Sequence, residues 1–184
     1  MNDVVREDLD DEAYQVKQVF AVYGIAAYQA QVLERGLANV LTLARTQVTE
    51  GTRDDFDVFL EEHLQATMGR LVKLLGPHVV DGDVLLVRLR EALDERNRIA
   101  HRFFREHELN FGSFTGREEM LAELLASAQL FEEVDASLRP IIDRCLAVVG
   151  MTPEQRISIV DEEVVRLEAL ARSRDDLPAN EDVF

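Results

Sequence analysis

Between Tyr14 and Ala44, apolar residues recur at steps of three or four: Val19, Tyr23, Ala26, Ala30, Leu33, Leu37, Val40 and Leu41 share one rhythm. A step near 3.6 puts such residues on one face of an α-helix and cannot be laid onto a strand, whose side chains alternate with period two. The same rhythm returns in every later segment. There is neither sustained alternation nor an Asn-Gly or Asp-Gly hairpin signal. The chain is therefore expected to be all-α.

Local stop and start signals divide it. The first helix is predicted from the acids at 10–12 to about Gln47, and Thr52 with Asp55 resembles a capping arrangement for a second helix over 53–75, which ends at "GPH". A third helix follows the Asp81–Asp83 turn and runs to about His107. Thr115 and Glu118 have capping-box spacing for a fourth, over 116–149, in which Pro140 should produce a kink. Gly150 closes it, and Thr152, Pro153 and Gln155 open a fifth that ends near Ala171. Long helices joined by short loops pack antiparallel, so the expected architecture is an up-and-down bundle of four to five helices. Residues 10–173 form its single domain. Residues 1–9 are an acidic extension, and residues 174–184 are an acidic tail with too little to bury for an ordered fold.

Composition narrows the function. No apolar run is long enough for a membrane span, the acidic N-terminal stretch has no apolar signal region, and the lone Cys145 lies in an apolar run, as a small buried hydrophobe would. These features fit a cytoplasmic protein with no membrane partner. Twenty basic against thirty-six acidic residues give a formal charge of −16, which argues against a general nucleic-acid-binding surface. Residues 96–105 are the exception, with four arginines and no acid. His63, His78 and His107 are scattered, and no spacing matches a metal motif, so neither metal nor cofactor is expected.

The third helix holds an anomaly. Leu86, Leu89, Leu93, Ala100 and Phe104 mark the centre of its apolar arc, with Leu85, Ala92, Ile99 and Phe103 beside them, yet Arg96 falls inside the arc. Asn97 and His101 lie at its margin, and Arg98, Arg102 and Arg105 are expected on the solvent side. A guanidinium on an apolar face must snorkel out, pair with a carboxylate, or line a wet cleft. Arginine can hold a phosphate oxygen, and an imidazole can exchange a proton near neutral pH, so the group also has the parts of a phosphodiester-cleaving site. The alternative reading is a structural polar network in a noncatalytic helical interaction module, whose acidic surface binds a basic protein.

The stretch "RNRIAH", residues 96–101, resembles the R-polar-x-x-x-H signature of the HEPN superfamily, and the wider text "ALDERNRIAHRFFREH" with "GREEMLAELL" is similar to a widespread group of bacterial proteins. The resemblance implies an HEPN-like fold and a metal-independent endoribonuclease acting as a homodimer, with two motif helices facing each other across a cleft. It implies that His101 assists deprotonation of a ribose 2′-hydroxyl, that Arg96 binds the phosphate, and that Asn97 orients one of the pair, leaving a 2′,3′-cyclic phosphate. Arg98, Arg102 and Arg105 would guide the RNA backbone. A toxin or phage-defence effector held by an antitoxin-like partner fits that scheme. An enzyme acting on a nucleotide is less favoured, since no Gly-rich phosphate loop is present.

Overall fold

The computed structural model describes residues 10–76, 84–148 and 150–175. Seven α-helices and one short 3-10 turn are found among them, and no strand: α1 (Asp11–Val48), α2 (Arg53–Leu64), α3 (Met68–Leu75), α4 (Val84–His101), α5 (Phe103–Glu106), α6 (Phe114–Val148) and α7 (Pro153–Asp175). The all-α expectation is met, with more helices than predicted. The acidic extension at 1–9, the "PH" of the second stop signal, the Asp81–Asp83 turn, His78 and the tail beyond Asp175 lie outside the described residues.

Capping explains most of the boundaries. Asp10 accepts from the Ala13 amide at 2.8 Å to start α1. Thr52 and Asp55 exchange backbone and side-chain bonds as a full capping box for α2. At α7, Thr152 and Gln155 do the same, at 2.8 and 3.2 Å. Gly150, at φ +77°, takes the left-handed conformation that ends α6 without the Cβ penalty other residues meet.

Three internal boundaries differ from the sequence reading, and α7 runs past its predicted end near Ala171 to Asp175. The predicted helix over 53–75 is two helices, because Thr67 starts a new one, its side chain accepting from the Arg70 amide at 3.4 Å. The helix expected to reach His107 breaks at Arg102, whose φ of −130° is not helical. The opening of α6 is held by Ser113, which accepts from the Gly116 amide at 3.1 Å, so Thr115 is already inside the helix.

By contact, the chain divides into two compact units, one ending at Ile142 and the other beginning at Asp143. In the first, α1 is the spine. Its Val19, Ala26, Leu33 and Leu37 are buried with Leu71 of α3, Leu89 of α4, Phe103 of α5 and Phe131 of α6. Gly36 is needed where α1 approaches α6, since a Cβ there would overlap the Asp135 carboxylate. α6 crosses the boundary between the units, with Pro140 inside it. The second unit holds the end of α6 and all of α7, whose Ile157, Val165 and Leu167 are exposed. Among the described residues, no helix is long and apolar enough to cross a membrane.

Candidate functional site

The core-facing line of α4 runs through Leu89, Ala92 and Ile99 and continues to Phe103 on α5, all buried. At about 100° per residue, Arg96 stands on that same line. Its side chain escapes the core: it is 33% exposed, with the guanidinium 3.8 Å from the Glu34 carboxylate on α1. Arg96 also donates to Asn97 Oδ1 at 3.3 Å. At 3.8 Å the Glu34 contact is a loose ion pair and not a hydrogen bond. The aliphatic stem therefore packs along the core while the charge reaches water.

His101 is exposed at the last position of α4, with no hydrogen-bond partner among the described residues. The chain then breaks, and an aromatic cluster holds the break in place. Phe103 enters the core, and Phe104 packs against Phe20 and Tyr23 of α1, with centroids 5.5 and 5.0 Å away. The Tyr23 hydroxyl also donates to the Ile99 carbonyl at 3.4 Å. Ala100, placed by the sequence at the centre of the apolar arc, is exposed: the buried line is centred nearer Ala92 and Ile99.

The three outer arginines do not form one solvent-facing set. Arg105 is exposed, and Arg102, also exposed, approaches Glu106 at 3.6 Å. Arg98 corrects the sequence reading. Its side chain is only 20% exposed, donates to both Glu95 oxygens at 2.8 and 2.9 Å, and reaches Glu123 of α6 at 3.1 Å and Glu106 at 3.5 Å. The helical wheel assumed one buried side, but α4 has a second, polar neighbour in α6. Arg88 meets Glu133 at 2.7 Å along that seam, and Ser127 donates to Glu95 in a very short hydrogen bond. These contacts engage Arg98 with carboxylates, which compete with any phosphate.

The electrostatics follow from this. Hydrogen bonds from Arg98 hold the Glu95 carboxyl below its ordinary range, against the opposing effect of burial. The Glu95 bonds, ahead of the burial penalty, in turn push the Arg98 guanidinium further toward its charged form. Buried His107 closes the group, its Nε2 lying 3.1 Å from Glu123.

Sequence reasoning missed Arg117, the one fully buried arginine among the described residues, 4% exposed. It donates to Gln15 Oε1 at 2.7 Å and to the Phe111 carbonyl at 2.9 Å, with Glu12 3.5 Å away. A basic residue at the start of an amphipathic helix gives no signal, since its side-chain partners Gln15 and Glu12 lie about a hundred positions away. Among the described residues no cluster of His, Cys, Asp or Glu could hold a metal ion. Cys145 is half-buried, and burial pushes its thiol upward.

No family model, curated protein or solved structure matches this chain.

Proposed function

We propose that the chain is an HEPN-like, metal-independent endoribonuclease that works as a homodimer in the cytoplasm, with Arg96, Asn97 and His101 as its site. The observation that supports this reading is a pair of neighbouring acid-free stretches, bordered by Glu34 beside Arg96 and Glu106 beside Arg102. The chain has 36 acidic residues, yet residues 13–33 and 96–105 contain none. The Tyr23–Ile99 hydrogen bond and the Phe20–Phe104 and Tyr23–Phe104 ring contacts make the two stretches neighbours. Phe20, Ile25 and Tyr28 are exposed on α1, and Ala100, His101 and Arg105 are exposed on α4 and α5. A polyanion repelled elsewhere meets least repulsion at these stretches. Their exposed apolar side chains suit a second copy of the chain, which would bring two motif helices together in an HEPN-like bundle pair.

In that cleft His101 takes the proton of a ribose 2′-hydroxyl, whose oxygen attacks the adjacent phosphorus. The bond to the 5′-oxygen breaks, and that oxygen receives a proton as it leaves. The products are a 2′,3′-cyclic phosphate and a 5′-hydroxyl. Arg96, steadied by Asn97, holds a non-bridging oxygen as charge builds on it. Arg102 and Arg105 are exposed to guide the backbone, and Arg98 serves by fixing α4 against α6. A toxin or phage-defence role, with an antitoxin-like partner, fits an activity of this kind.

The test is cleavage of a mixed RNA pool in EDTA by wild type, Arg96→Ala and His101→Ala. The expected result is cyclic-phosphate ends with wild type and a loss of about 10²-fold or more in each variant, without loss of fold. One observation favours the second reading, a noncatalytic interaction module binding a basic protein: Arg96 already has Glu34 as a partner. Inert wild type, with Arg96→Ala melting at a lower temperature, would establish that reading.

A further inference from the structure

Away from α4, the last turns of α1, the end of α2 and α3 enclose a cavity of about 400 Å³, within the range of small-molecule sites. Leu41, Ala44 and Leu74 supply apolar wall, while Arg45, Glu62 and Arg70 are exposed at its mouth. His63 lines it and is only 8% exposed.

The protonation of His63 can be worked out. The Thr42 hydroxyl has one proton and donates it to the Ala38 carbonyl at 2.8 Å. The 2.9 Å contact between Thr42 Oγ1 and His63 Nδ1 must then be a bond in which Nδ1 is the donor. Burial, and then Arg45, hold the imidazole below its ordinary range, so the ring is neutral at pH 7. Nε2 is left with its lone pair and no protein donor among the described residues.

The two arginines differ. Arg45 is committed, 2.5 Å from Glu62 and stacked 3.8 Å over the Phe59 ring. Arg70 has no carboxylate within ion-pairing distance among the described residues, so its charge is open to a ligand. Apolar walls, one open guanidinium and one unpartnered imidazole lone pair define a complementary molecule: an apolar body, one anionic group and one hydroxyl.

We propose that this cavity binds a small hydroxylated monocarboxylate with an apolar body. Arg70 takes the carboxylate and Leu41, Ala44 and Leu74 take the body, while His63 Nε2 accepts from the hydroxyl. The site is separate from Arg96 and His101, and its test does not depend on them.

Titration calorimetry of the full chain with 3-hydroxydecanoate, decanoate and decanol tests it. The hydroxy acid is expected to bind one per chain and decanol not at all. Arg70→Glu, an exposed substitution that leaves the core intact, should weaken both acids at least about tenfold, the loss expected for a charge-assisted hydrogen bond. Ala44→Trp should fill the cavity and abolish binding. His63→Phe should reduce the hydroxy acid to the affinity of decanoate. Absence of saturable binding by either acid overturns the proposal, as does binding that survives Arg70→Glu, or decanol binding as tightly as decanoate.

Discussion

The Arg98 guanidinium lies 3.1 Å from the Glu123 carboxylate and ties α4 to α6, while Arg96, two residues earlier, turns to Glu34 on α1. The two arginines therefore differ in what their removal costs. Arg98 is mostly shielded and engaged with three carboxylates, so Arg98→Ala leaves Glu95 and Glu123 without their cation. The cost is expected at about 2 kcal/mol, between an exposed pair and a buried one. Arg96→Ala removes a loose, partly exposed pair, the bond to Asn97 and some stem packing, and should cost about 1 kcal/mol, less than Arg98→Ala. Urea denaturation of the two variants, read as midpoints at constant slope, checks the order. If Arg96→Ala proves the costlier, its role is structural.

Besides the exposed carboxylates Asp55 and Glu154 at helix starts, two shielded groups give stability a pH dependence of the same sign. Glu95 has a folded pKa below its ordinary value near 4.5, chiefly through Arg98, and His63 has one below 6.5, chiefly through burial. In each case the unfolded chain binds the proton first. The His63 contribution is complete above pH 6.5 and is lost as pH falls below that value through the folded pKa, and the Glu95 contribution is lost in the same way below about pH 4.5. Asp135, pushed upward by burial, opposes this trend, because its contribution is present at low pH and lost as pH rises through its folded pKa. Melting temperature measured from pH 8 to about pH 2 should fall in two steps. His63→Phe should flatten the upper one and Arg98→Ala the lower.

Arg117 is expected to be the most sensitive charged position in the first unit. It is buried, and its bonds to Gln15 and the Phe111 carbonyl join the start of α6 to α1 and to the turn at Asn110–Gly112. Arg117→Ala leaves those acceptors unpaired in the interior and should cost about 3 kcal/mol or more. The adjacent Gly116→Ala should also destabilise, since a Cβ would overlap the Asn110 carbonyl, a backbone group that cannot swing aside. Thermal melts followed by circular dichroism would show both losses.

What could be read in the sequence was local. The caps at Asp10, Thr52 and Thr152 use partners three residues away, so short windows contained them. The Thr67 start is as local, but the apolar rhythm continues through it and masks the break. Arg96 stood out because it broke a stripe. Arg98 and Arg117 broke none, and what sets them apart is a carboxylate on another helix or an acceptor about a hundred residues distant, which no periodicity encodes. The arc of α4 was misplaced for a related reason. A wheel assumes one buried side, and α4 packs an apolar side and a polar one against different partners.

The acid-free stretches offer the sharpest test of assembly. Tyr28 is 62% exposed on α1, near Ile25 and Phe20, and its removal from water in a dimer would be favourable in both subunits. Wild type should sediment at twice the chain mass of 20.9 kDa. If the exposed Tyr28 is an anchor of the dimer, Tyr28→Glu places a desolvated charge in the contact twice, and anchor positions of this kind cost about 2 kcal/mol or more each. The variant should sediment as a monomer with unchanged helicity. If the cleft needs both copies, RNA cleavage should disappear with the dimer, although Arg96, Asn97 and His101 are untouched. A Tyr28→Glu monomer that still cleaves RNA would place the whole site within one chain. A wild type that stays monomeric at every concentration would remove the homodimer from the proposal.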